Sequence, residues 1–258
     1  MRGTEVSKLL RLTFVATSMR YLLLLMLFGS HFANCQFTLE TELGFPIPGY
    51  NKIRVPNEAT EFDFNSDFSL DGLTIPGRAR LTYTFGEKNN ISALFAPLTI
   101  NYKGASPRDI EFQQTLFSEG EDIEGEYKFN SYRLTYRRDI VKNEKWLFGI
   151  GFTAKIRDAT IALSSENKKD RKDDIGFVPL LRLVAAYKYQ DLEFIIEGDG
   201  LAGGPGRAFD FFGGVNYNFY KNLSGKIGYR IVEGGANVSE VYNFTIINII
   251  TAGLILEF

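Results

Sequence analysis

LEFIIEGDGLAGGPGRAFDFF, residues 192–212, admits two readings that lead to different folds. It holds GDGLAG, a match to G-x-G-x-x-G directly after an apolar run, which is the fingerprint of a dinucleotide-binding turn. That reading needs a helix to open in the glycines, so that its free amides meet a pyrophosphate, and an acidic residue about 20 positions later. Pro205 and Gly206 interrupt the first turn of any such helix. Beyond them Phe209, Phe211, Val215, Tyr217 and Phe219 fall on alternate positions, the period of a strand. The stretch therefore reads as strand, glycine turn, strand, and two carboxylates, Glu197 and Asp199, close the first strand.

The same period recurs along the chain in ten stretches, each about as long as a tilted membrane-crossing strand. QFTLETELGF (36–45) sets Phe37, Leu39, Leu43 and Phe45 against Glu40 and Glu42. RARLTYTF (78–85), ISALFAPLTINYK (91–103) and KFNSYRLTYR (128–137) follow, the third of the ten being apolar on both faces. KWLFGIGFTAKIRD (145–158) alternates Trp146, Phe148, Ile150 and Phe152 with Gly149, Gly151, Thr153 and Lys155. GFVPLLRLVAAYKY (176–189) carries Pro179, which predicts a bulge. The two strands of 192–212, then LSGKIGYRI (223–231) and YNFTIINIITAGLILEF (242–258), complete the set. Short connections (86–90, 139–144, 190–191, 220–222) alternate with long polar ones (46–77, 104–126, 163–175). An even number of strands with short turns on one side and long loops on the other predicts an all-β fold, an antiparallel up-and-down transmembrane β-barrel of about ten strands.

Alternation alone does not distinguish such a barrel from a soluble one with an apolar interior. Three features favour the membrane. Gly149, Gly151, Gly214, Gly228 and Gly253 share the polar face with Arg and Glu, as in a narrow lumen where small residues leave room for long ones. Aromatic residues stand near the strand ends of the apolar face, among them Phe37, Phe45, Tyr136, Trp146 and Phe219, as in interfacial girdles. Phe258 falls within the last strand, where a terminal aromatic serves bacterial outer-membrane proteins as an assembly signal.

Residues 1–35 have the build of a cleaved secretory signal peptide, with Met19 as an alternative start, an apolar core at 21–28 and cleavage near Cys35 or Gln36. The barrel domain is then 36–258. The single cysteine, Cys35, and the single histidine, His31, both fall in the leader, which removes imidazole chemistry and thiolate metal sites from the mature chain. The mature chain keeps 25 basic and 30 acidic residues, a net charge of −5, which argues against nucleic acid as a partner.

FNSYRLTYR (129–137), GFTAKIRDA (151–159), the 192–212 stretch, GYRIVEGGANVSEVYNF (228–244) and the final Phe together resemble a group of functionally uncharacterised, small single-chain Gram-negative outer-membrane β-barrel proteins. The resemblance covers most of the mature protein. It implies the fold and an outer-membrane location, and with them outer-membrane lipid and the barrel-assembly machinery as partners. It brings no activity and no catalytic residue.

The inward faces collect Glu40, Glu42, Arg80, Arg133, Arg137, Lys155, Arg157, Arg182, Glu197, Asp199, Asp210, Lys226, Arg230 and Glu257. Ten strands leave little room for an aqueous channel, so these charges are expected to pair in a salt-bridged lumen. A sharper expectation places Arg157, Asp158, Arg182, Glu197, Asp199, Arg207, Asp210, Arg230 and Glu233 together as a charged cluster in the lumen and at the outer mouth, filtering a small polar solute or ion. Asp199, Asp210 and Glu233 could also hold a divalent cation, although no calcium-loop pattern accompanies them, and neither a metal nor any other cofactor is expected. The functions that fit are a narrow channel or a structural envelope protein. The alternatives are an envelope-lipid enzyme using a carboxylate pair, or a binding barrel acting through its long loops, including SEGEDIEGE (118–126) and ENKKDRKDD (166–174).

Overall fold

The computed structural model describes residues 36–258; the expected signal peptide, with Met19, His31 and Cys35, lies outside the described residues. The described chain is almost entirely strand. In order the elements are β1 (Gln36–Arg54), β2 (Phe62–Asp63), a short helix α1 (Phe64–Asp67), β3 (Ser69–Leu70), β4 (Gly77–Phe85), β5 (Asn89–Ala96), β6 (Thr99–Ala105), β7 (Ile110–Phe112), β8 (Thr115–Phe117) and β9 (Asp122–Lys142). β10 (Trp146–Ser164), β11 (Lys169–Tyr189), β12 (Leu192–Gly203), β13 (Gly206–Tyr220), β14 (Leu223–Val238) and β15 (Val241–Glu257) follow.

Ten of these close a ring, each antiparallel to its neighbours: β1 pairs with β4 and with β15, and β9 with β5 and with β10. The fold is thus a closed ten-stranded antiparallel barrel, and its outer face is that of a transmembrane one. Phe152 and Ile196, 68 and 67 % exposed, stand in a continuous apolar band with Leu43, Leu134, Leu181 and Ile227. β5 and β6 are one stave broken at Pro97 and Leu98, since both pair with β9. Both chain ends of the described barrel lie at the side of the short turns.

The 192–212 stretch is a hairpin, with β12 ending at Gly203 and β13 starting at Gly206. Its fingerprint glycines have another use. Gly198 and Gly200 stand opposite Phe211 and Phe209, and the aromatic rings lie across them where a Cβ would come within 2.0 and 2.5 Å of a ring carbon.

Two expectations change. The long loop at 163–175 is largely strand and that at 46–77 begins as one: β1 runs to Arg54, and the charged run Lys169–Asp174 pairs with Ala159–Ser164 below a tight turn. Strands of 19 to 21 residues exceed the ~9–11 that cross a bilayer, so their outer parts have water rather than lipid outside, and the run Lys169–Asp174 carries no apolar alternation to read. Pro179 makes no bulge, for β10 and β11 pair through it without a register shift; it sits where β11 has already lost β12 as a neighbour.

Candidate functional site

From the end of the short turns outward, the interior is built in three layers. The first is a polar vestibule of about 230 Å³, lined by residues that include Thr82, Asn90, Arg137, Asp139 and Glu193. Arg137 Nε donates to Asp139 Oδ1 over 2.8 Å beside Gly149, where a side chain would collide with that carboxylate.

The second layer is a belt of buried charge. β1 supplies Glu40 and Glu42, β12 Glu197 and Asp199, and β13 Asp210; facing them are Arg78 and Arg80 from β4, Arg133 from β9, Arg182 from β11, and Lys226 and Arg230 from β14. Period 2 aims all eleven side chains inward. Arg133 donates to Asp199 over 2.9 Å and to Asp210 over 2.6 Å, and Arg182 bonds both Glu197 and Asp199. Arg230, only 1 % exposed, donates to Glu42 and to Asp210 over 2.6 Å each, and Arg80 reaches Glu197 over 2.8 Å. Thr153 Oγ1 donates to the remaining oxygen of Asp199 over 2.6 Å. Each buried charge thus has several partners, the condition under which ions survive outside water. Phe212 underlies the belt: its ring covers Gly214 and Gly228, and the Lys226 ammonium lies 4.0 Å above it.

Glu40, Glu42 and Glu197 converge as metal ligands would. The Lys226 ammonium occupies that position, donating to all three, to Glu42 over 2.9 Å and to Glu197 over 3.2 Å. The other conceivable cation site, Asp199 with Asp210 and Glu233, is not assembled, because Glu233 faces the outside of the barrel and accepts from Arg207 over 2.7 Å.

The third layer is apolar. Inward side chains of the tall strands (Ile53, Tyr127, Ile161, Leu163, Ile247) meet Phe62, Phe64, Phe68, Ile110, Phe112 and Phe117 from the two outer loops. Phe64 stacks on Tyr102 at 4.6 Å and lies over Gly125. Asp63 caps α1 by accepting from the Asn65 amide, and Arg108 holds Asp67 from the neighbouring loop over 2.8 Å.

The nine residues expected to form one charged cluster are therefore divided. Arg182, Glu197, Asp199, Asp210 and Arg230 meet in the belt. Arg157 points inward higher up and bonds Asp174, while Asp158 pairs with Lys128 over 2.8 Å on the outer side and Arg207 with Glu233 likewise. A single step of strand parity separates Asp158 from Arg157, and three residues separate Glu233 from Arg230. Arg78 was missed, although it has the parity of Arg80. Phe258 closes the seam, its backbone pairing with Phe37 and its ring stacked on that of Phe37 at 6.0 Å.

No protein-family model matches the sequence, and no curated protein is similar to it. Solved structures are similar in fold. The outer-membrane protease OmpT of Escherichia coli is 14 % identical over 86 % of this chain and 97 % of its own, with a TM-score of 0.53. The translocator domain of the autotransporter NalP from Neisseria meningitidis is 10 % identical over 95 % of this chain and 98 % of its own, with a TM-score of 0.47. The OmpT likeness agrees with the closed transmembrane barrel and, at such identity, extends no further than the fold.

Proposed function

We propose that the chain is an outer-membrane barrel with a sealed lumen, a structural envelope protein whose working surfaces are its outer cap and its side rather than an axial pore. One observation carries the reading: the belt crosses the lumen with side chains between 1 and 16 % exposed, and the apolar cap lies directly above it. An ion would have to cross both. An apolar cap rejects it for want of solvation, and the belt gives way only if pairs break at ~3–5 kcal/mol each. The likeness to OmpT supports the outer-membrane location; outer-membrane lipid and the barrel-assembly machinery are the partners proposed with it.

Single-channel recording of the purified protein in a planar bilayer tests this. The wild type is expected to be silent, and so is Glu197→Gln with Asp199→Asn while the cap stays in place. Discrete steps in the wild type, with selectivity altered in that double variant, would restore the narrow channel and make the belt its filter.

A further inference from the structure

Above Leu181 the barrel wall is open on one side. β11 and β12 pair from Tyr189 and Leu192 up to Leu181 and Gly200, and no further, whereas β11 continues alongside β10 to Lys169. β12 stops at Gly203. Pro179, with no N–H to offer, lies on this bare edge, where a proline costs no sheet hydrogen bond. Behind the gap is a cavity of about 420 Å³, bounded by Gly176–Pro179, the tip of the β12–β13 hairpin and Gly234–Ala236. Its volume is in the range of small-molecule sites. Ile175, Phe177 and Leu201 flank the mouth and are 77, 65 and 42 % exposed, so the opening faces the apolar surroundings of the barrel.

Two donors on the inner wall lack an acceptor. Lys155 is 3 % exposed and rests 4.6 Å above the Phe129 ring, and among the described residues no carboxylate lies within ion-pairing distance of it. Arg157 bonds Asp174 through Nη2, but its Nε is buried with no partner. Both residues line the cavity. A buried ammonium without a counter-charge is costly, and the belt beneath has six cations against five carboxylates, so it offers Lys155 no spare anion. The site asks for one negative charge with two acceptor oxygens, attached to something apolar enough to lie in a gap that opens on lipid.

We infer that this lateral cavity binds a carboxylate carrying a single acyl chain, a fatty acid entering from the membrane, with its two oxygens on Lys155 Nζ and Arg157 Nε and its chain leaving between Phe177 and Leu201. The inference goes beyond the sealed-lumen reading and does not depend on it, since entry is from the side.

Full-length protein expressed with its leader, purified and placed in phosphatidylcholine vesicles, is irradiated with a diazirine-bearing palmitic acid, and the labelled peptides are identified by mass spectrometry. Label is expected within 175–181 or 201–208. Lys155→Met should reduce it roughly tenfold or more, the scale of one lost charge-assisted hydrogen bond, and Lys155→Arg should keep most of it. Unlabelled palmitate should compete at least about tenfold better than hexadecanol, which has the chain without the charge. Undiminished label in a folded Lys155→Met, or equal competition by hexadecanol, would overturn the assignment, and so would displacement by phosphatidate in preference to palmitate. If Lys155→Met loses its heat-modifiable fold, Ala208→Trp decides: it fills the cavity while keeping the lysine, and label that persists there overturns the site.

Discussion

The belt and the cap close one tube by opposite means. In the belt every group is charged and each needs the others, so the layer is cooperative and intolerant of a single loss. In the cap the contributors are aromatic and aliphatic, drawn from two loops as well as from the wall, and the loss of one ring leaves a hole without stranding a charge. A polar layer fixes register and geometry, whereas an apolar layer fills volume; the barrel uses the first where its strands are continuous and the second where they give way to loops.

The largest effect that would sharpen this contrast is expected from Arg230→Met. It leaves Glu42 and Asp210 buried short of their main cation, and should cost ~3–5 kcal/mol, read as a lower urea midpoint for loss of the heat-modifiable barrel. Phe64→Ala should cost a similar ~3–5 kcal/mol, but to the cap alone: protease should gain access to residues 55–76 while the barrel midpoint stays in place. A fall in both readouts for Phe64→Ala would merge the two layers into one cooperative unit. Arg207→Ala, half-exposed on the outer side, should change the midpoint by no more than ~1 kcal/mol although its ion pair is as short as those of the belt.

The smallest effect concerns pH at the rim. Hydrogen bonds from Lys168, Ser165 and the Ser118 amide hold the Glu121 carboxyl down at about 2, joining the outer loop to the β10–β11 turn. A carboxyl lowered on folding stabilises at pH values above its unfolded pKa of ~4.3 and ceases to as pH falls through its folded value. Proteolysis between 106 and 121 should therefore rise as pH is lowered from ~4.3 toward about 2, and Lys168→Ala should flatten that dependence.

The belt was largely legible in the sequence, because membrane strands impose strict alternation and Glu40, Arg80, Arg133, Glu197 and Arg230 all obey it. Arg78 obeys it as well and needed only the same count carried one step back. The outer third was not legible, for the physical reason that nothing outside it is apolar: Lys169–Asp174 form a ladder through backbone groups whatever their side chains. The cap did leave a trace, since Phe62, Phe64 and Phe68 crowd a stretch otherwise rich in Asp, Asn and Ser. A polar loop has no use for three phenylalanines unless they are buried. Pro179 reads in the sequence as a bulge; only the pairing of its neighbours shows that it marks a bare edge.

The belt also bears on how the molecule is put together. Glu40 and Glu42, on the first strand, find Lys226 and Arg230 184 to 188 positions later, across the seam closed by β15. Such separations make ring closure slow and late, so the carboxylates stay hydrated until the final strand arrives. A one-residue slip between β1 and β15 would turn both carboxylates outward into hydrocarbon and leave two cations stranded inside. The belt thus proofreads assembly, accepting a single alignment of first strand and last.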